Sequence, residues 1–274
     1  MSDQTAYYRE GAHPARGPEW TQMAERTGPR EKCEVLGTEI DALTMRDVMA
    51  RIEASLDTGR QVRVGVVNAA KLVNMQRDQL LRDDVNSSDL VLADGMSVVW
   101  ASRLLGQPLP ERVAGIDLMF RLYEIADRRG FRVYCLGATE EVSATIEANL
   151  ARDYPGLVLA GRRNGYFGTE DEEEVAAAIA AAKPDMLLVA MTSPKKENFM
   201  GRWSDTMNVP VVHSVGGSFD VYAGLVERAP ERWQKLGLEW LYRVKQEPGR
   251  LWKRYLITNA KFIWEVFRDL IGAR

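Results

Sequence analysis

Short apolar runs alternate with amphipathic stretches along most of this chain. Residues 1–31 are polar, with scattered Pro and Gly and no periodicity, and read as a disordered leader. "CEVLGTEIDAL" (33–43) predicts a short strand pair turning at Gly37. Thr44 with Asp47 three residues on predicts a capped helix start, the helix running to about Leu56. Strands are then predicted at 63–68, 89–94, 132–137, 157–163, 185–191 and 209–216. Helices are predicted between them at 69–82, 95–105, 116–129, 139–152, 170–182 (capped by Thr169) and 195–206. The strand runs are short, β-branched and mostly apolar rather than alternating, as strands buried on both faces must be. The pattern therefore predicts an α/β fold: a mainly parallel sheet with helices on both faces. This body is expected to span residues 32–226.

The remainder, 227–274, is expected to be a helical appendage. Leu236, Trp240, Leu241 and Val244 fall on one helical face, and Pro248 breaks the pattern. Trp252, Tyr255, Leu256, Phe262, Ile263, Val266 and Phe267 form a second stripe. Four of the seven Trp lie here. From Arg228 onward there are 11 Lys and Arg against 5 Asp and Glu, and before it 25 against 34. The overall charge of −3 gives no reason to expect nucleic acid. A basic, Trp-rich tail on an acidic body instead suits a membrane surface or an anionic ligand, with packing as the last core helices as the bland alternative. The apolar runs fall well short of the ~20 residues that span a bilayer. Cys33 and Cys135 are read as free thiols of a cytoplasmic protein.

Parallel α/β sheets bind ligands beyond the carboxyl ends of their strands. That rule selects Asn68, Asp94, Gly137, the segment from Thr192 to Glu197, and Gly216 to Asp220. Asp94 in "LVLADGMSVVW" is either the N-cap of the following helix or a carboxylate held for chemistry. Arg112, in the Pro-flanked loop "PLPERVAG", is either a solvated charge or the counter-charge to a carboxylate or diphosphate. Lys195 and Lys196 in "SPKKE" open a helix whose N-terminus suits an anion, unless they are merely solvated. Gly216 and Gly217 in "VGGSFD" allow close backbone approach, unless they only turn the chain. His213, mid-strand, reads as a structural histidine. The sequence has no glycine-rich dinucleotide fingerprint, no phosphate-binding lysine loop, no metal-ligand cluster and no Asp-x-Asp pair. These absences disfavour nicotinamide enzymes and nucleoside triphosphatases, and no cofactor or metal is expected.

Several long motifs resemble one family. "NSSDLVLADGMSVVWASRLLGQPLPERVAGIDLM", "NGYF", "SPKKE", "VGGSFDVYAG" and "RAPERWQKLGLEWLYRVKQEPGRLWKRYL" are similar to the WecG/TagA/CpsF glycosyltransferases, over about residues 35–260. The resemblance implies a Rossmann-like fold of the GT-E type. It also implies inverting, metal-independent transfer of a sugar from a UDP-sugar to a polyprenyl-diphosphate-linked sugar, at the inner face of the cell membrane. By the same resemblance Asp94 is the general base, Arg112 stabilises the leaving diphosphate, and Asn68 belongs to the catalytic set. Tyr166 and Asp220 bind nucleotide, and Arg243, Arg250 and Lys253 grip the lipid diphosphate. Lys196 stands where the family commonly has Gln, and Val66 where it has Thr, so the resemblance leaves sugar identity and acceptor contacts open, with Lys196 suited to an acidic or differently substituted sugar. The rival reading is a non-catalytic sugar-nucleotide or lipid-binding module, or a Rossmann-type enzyme using another nucleotide. A homo-oligomer is left open.

Overall fold

The computed structural model describes residues 32–272, except the side chains of Lys235, Arg250, Leu251 and Arg254. The leader expected at 1–31 lies outside the described residues. The chain opens with a hairpin of β1 (Lys32–Val35) and β2 (Thr38–Asp41), joined through Leu36 and Gly37. Both turn residues have positive φ, 52° and 71°, the geometry of a two-residue hairpin turn that matches strand twist. Helix α1 (Met45–Thr58) follows, with the predicted capping box between Thr44 and Asp47.

Six parallel strands form the main sheet: β3 (Val62–Val67), β4 (Leu90–Ala93), β5 (Arg132–Gly137), β6 (Val158–Arg163), β7 (Met186–Ala190) and β8 (Val211–Ser214). Their order is β4-β3-β8-β7-β5-β6, and every pairing is parallel. The chain builds one side through β3 and β4, then crosses to β5 on the other. That reversal opens a crevice at the strands' carboxyl ends.

The helices between strands are α2 (Ala69–Met75), α3 (Gln79–Asn86), α4 (Met96–Leu104), α5 (Gly115–Arg129), α6 (Glu140–Asp153), α7 (Glu172–Ala182) and α8 (Lys195–Met207). The single helix expected at 69–82 is two, because Asp78 accepts from Leu81 N at 3.0 Å and caps a new helix. Thr169 lies inside a short 3-10 turn, not at a cap.

Strand periodicity assigns the faces. Leu90, Leu92, Val133, Cys135, Leu188 and Val211 pack with α1, α5 and α6 on one side. Their neighbours Tyr134, Leu136, Leu187, Val189 and Val212 pack with α7 and α8 on the other. Val67, Val91 and Ala93 join α2, α4 and the hairpin. Each fully buried aliphatic side chain contributes ~1.5–3 kcal/mol. Cys33 and Cys135 are free and buried, and burial pushes the thiols up to about 11 and about 12.

After β8 come α9 (Ser218–Tyr222), α10 (Glu231–Lys235), α11 (Glu239–Gln246) and α12 (Pro248–Leu270). Pro248 does more than break a helix, for it occupies the first position of α12, where its missing N–H costs nothing. Phe262 and Val266 are buried with α2 and the hairpin. Trp252, Leu256, Ile263 and Phe267 stay exposed, and Tyr255 is half-buried against Trp240.

Candidate active site

The carboxyl ends of β3 and β4 bring Asn68 and Asp94 together. Asn68 caps α2, its Oδ1 accepting from Lys71 N at 3.0 Å. A Cβ built on Gly95 would lie 3.4 Å from the Asn68 Cβ, which places the two strand ends side by side. Asp94 donates its own N–H to Val67 O at 2.9 Å, locking the end of β4 to β3.

The expected capping role of Asp94 needs correction. The N-cap of α4 is Gly95, with no side-chain hydrogen bond. Asp94 Oδ1 instead accepts from Gly115 N at 2.8 Å, the first residue of α5. The carboxylate thus caps a helix that starts 21 residues later. Its Oδ2 has no hydrogen-bond partner among the described residues. The other side of Gly115 is held by His213, whose Nε2 lies 3.0 Å from the Gly115 carbonyl. Burial lowers the His213 pKa, so a neutral ring with its proton on Nε2 is the donor that suits a carbonyl. Val66, facing the same point, would meet a Cβ on Gly115 at 3.6 Å.

Arg112 sits on the loop that joins these groups. Val113 N donates to Ala93 O at 3.0 Å, so the loop is pinned to the end of β4. The solvated reading of Arg112 fails: the side chain is 13% exposed, and its Nη1 donates to Glu239 Oε2 at 2.9 Å. Its Nη2 lies 3.6 Å from Asp117 Oδ2. Asp117 in turn pairs with Arg228 Nη2 at 2.6 Å.

Lys196 is buried too, in a chain of charges. Its Nζ lies 2.8 Å from Glu197 Oε1, and Lys71 Nζ lies 2.7 Å from the same oxygen. Lys71 also donates to Val66 O at 2.6 Å, tying α8 to the end of β3. Burial and the neighbouring Lys71 push Lys196 down to about 8, against the pull of Glu197 and Asp94. Burial alone would raise Glu197, but Lys71 and Lys196 outweigh it and hold the carboxylate at about 2. Lys196 is therefore a buried cation paired with Glu197, within electrostatic reach of Asp94.

Lys195 is not an open anion site. Its ammonium donates to Gly165 O at 2.9 Å and to Phe167 O, and lies 4.1 Å from the Phe167 ring centre. It braces the turn that carries Tyr166, which is 79% exposed. Gly137 has a packing reason: at φ 126° a Cβ would lie 2.3 Å from Ala190 O. An open cavity of about 650 Å³ beside β6 is lined by Arg162, Arg163, Asn164 and Tyr166. It shares only Tyr166 with the expected site, and Arg162 is already paired with Glu140 and Glu147.

The tail completes the crevice. A Cβ on Gly217 would meet Arg243 Nη1 at 3.5 Å and Asp220 Oδ2 at 3.8 Å. Arg243 therefore lies over the turn after β8, where Gly216 takes a φ of 54°. Lys253 is exposed, and the Arg250 side chain lies outside the described residues.

The chain matches the model of the glycosyl transferase WecG/TagA/CpsF family over residues 33–274. The chain belongs to that family. Three relatives carry the name N-acetylglucosaminyldiphosphoundecaprenol N-acetyl-beta-D-mannosaminyltransferase. That of Bacillus spizizenii is 41% identical over 67% of this chain and 70% of its own. That of Bacillus subtilis is 37% identical over 70% and 74%. That of Staphylococcus aureus is 34% identical over 81% and 86%. As a member of this family the chain is a glycosyltransferase, and its expected fold and enzyme class agree with the structure and these relatives.

Four site residues escaped sequence reading, Lys71, Asp117, Arg228 and Glu239, while Glu197 closed the selected segment from Thr192 without a role of its own. Lys71 had a faint signal, a lone charge in the apolar helix "AAKLVNM". The others pair across long sequence separations or lie in charged stretches that read as solvated.

Proposed function

We propose that this glycosyltransferase moves an N-acetylmannosamine-type sugar from its UDP donor to an N-acetylglucosaminyl-diphosphate-linked polyprenol, with inversion. The relatives' names support the acceptor and the transferred sugar. The observation that carries the reading is that Asp94 and Arg112 flank one helix start, with Asp94 bonded to Gly115 N and Arg112 three residues before it. In the reaction an acceptor hydroxyl attacks the anomeric carbon as UDP departs from the opposite face. The Asp94 oxygen left unbonded by Gly115 takes the hydroxyl proton. Such a base contributes typically ~10²–10⁴-fold. Arg112 directs N–H donors at the charge developing on the departing diphosphate, the task a metal performs in other transferases. Tyr166 and Asp220 hold the nucleotide, and Arg243 and Arg250 meet the acceptor diphosphate.

No described helix is long and apolar enough to cross a membrane. The exposed apolar stripe of α12 and the basic tail support contact with the cytoplasmic face of the membrane, where the lipid-linked acceptor resides.

The test is transfer itself. UDP-N-acetylmannosamine and other UDP-sugars are offered with a short-chain N-acetylglucosaminyl-diphosphate lipid, and products are read by mass spectrometry. The expected result is one N-acetylhexosamine added to the lipid, with UDP released. Lack of transfer from every UDP-sugar would overturn the reading.

A further inference from the structure

Helix α11 carries Glu239 and Arg243 one turn apart, so both project to the same side. That side faces the crevice: Glu239 bonds Arg112, and Arg243 lies over Gly217. The segment leading into α11 is fixed at several points. Arg228, 8% exposed, pairs with Asp117 in the first turn of α5. Gly237 takes a φ of 64° and sits so close to α4 that a Cβ would lie 2.6 Å from Trp100 and 2.9 Å from Met96. Helix α4 begins two residues after Asp94. The tail is thus docked on the same loop and helix starts that hold Asp94 and Arg112.

Within this cluster Arg112 is engaged by Glu239 and Arg228 by Asp117. A diphosphate entering here meets guanidiniums that carboxylates already engage. It depends on correctly aimed N–H donors, and an arginine on a long flexible stem aims well only when its rotamer is held. Asp117, at 3.6 Å, is a loose partner; Glu239, at 2.9 Å, is the close one. A guanidinium has more N–H donors than these carboxylates engage, which leaves some for a ligand.

We infer that Glu239 is a positioning residue: its carboxylate fixes the Arg112 guanidinium for the leaving diphosphate. The inference rests on the reading of Arg112 given above. The carboxylate touches neither sugar nor phosphate; it acts through Arg112.

The test uses the full chain as wild type, Glu239→Ala, Glu239→Gln, Arg112→Ala and the double alanine variant. Each is assayed with the UDP-sugar and lipid-diphosphate acceptor that support transfer. Glu239→Ala is expected to lose about 10- to 100-fold in kcat, with KM for the UDP-sugar within about twofold of wild type. Glu239→Gln keeps an acceptor oxygen at the same reach and is expected to recover most of that loss. The double variant is expected to be no slower than Arg112→Ala, because both changes disable one group. An unchanged or faster Glu239→Ala overturns the inference, the faster case marking the carboxylate as a block on Arg112. Losses that multiply in the double variant also overturn it, since Glu239 would then act apart from Arg112. If wild type transfers no sugar, the reading of the site fails and this inference falls with it. If Arg112→Ala is slow while Glu239→Ala is not, the reading stands and the inference alone fails.

Discussion

Glu197 shows how far a single buried charge reaches. Its Oε1 accepts from Lys71 and lies within salt-bridge range of Lys196, so α8 and the end of β3 meet through one oxygen. Because its folded pKa of about 2 lies below the usual 4.5, its contribution is fully present above about pH 4.5. That contribution is lost as pH falls from there toward 2. Lys196 runs the opposite way, its buried charge a cost below about pH 8 that fades as pH rises further. Urea unfolding between pH 5 and pH 2 is therefore expected to show a steeper loss of stability for wild type than for Glu197→Gln. Parallel slopes would contradict the assignment. Glu197→Gln is also expected to lower stability at pH 7, since it strands two buried ammonium groups. Sequence reading named Lys196 but took the neighbouring lysines as either solvated or anion-binding. Neither describes them: Lys195 braces backbone carbonyls and Lys196 joins an ion chain. Charge balance inside a fold depends on neighbours that spacing along one chain does not reveal.

At the scale of elements, much was legible. The hairpin turn, the Thr44 capping box and all six parallel strands follow from local signals, namely left-handed turn residues, cap chemistry and buried β-branched runs. One failure was local and the other was not. Asp78 split a helix that the apolar pattern ran through, and Asp94 capped a helix other than its own. Helix α12 shows features of both readings of the tail. Phe262 and Val266 dock on the body, while Trp252, Leu256, Ile263, Phe267 and Leu270 form an exposed line along the same helix. Truncating the tail would therefore uncover part of the core, and point changes on the exposed line are the cleaner probe. With Ile263 and Phe267 both changed to Glu, the protein is expected to keep its thermal midpoint and to lose co-sedimentation with vesicles rich in anionic phospholipid. Equal binding by variant and wild type would show that this face is not the membrane contact.

Across the whole molecule, the acidic body and the basic tail are joined where the chemistry is proposed. The reversal of strand order opens the crevice, the ends of β3 and β4 supply Asn68 and Asp94, and the loop before α5 supplies Arg112. The tail closes over them through pairs spanning more than a hundred residues, of which Arg112 with Glu239 is separated by 127. Motif spacing located the strand-end residues because topology puts them there in any parallel sheet. It could not locate Glu239, whose relevance exists only once the tail folds back. The central claim is that Asp94 does the proton chemistry while a helix start holds it in place. The most direct measurement is the transfer rate of Asp94→Asn beside its affinity for UDP. The substitution preserves the acceptor oxygen for Gly115 and removes the base. Transfer is expected to fall by ~10²–10⁴-fold with UDP affinity and thermal midpoint unchanged. Turnover within about tenfold of wild type would contradict the account, for that is too small a loss for the group that removes the proton.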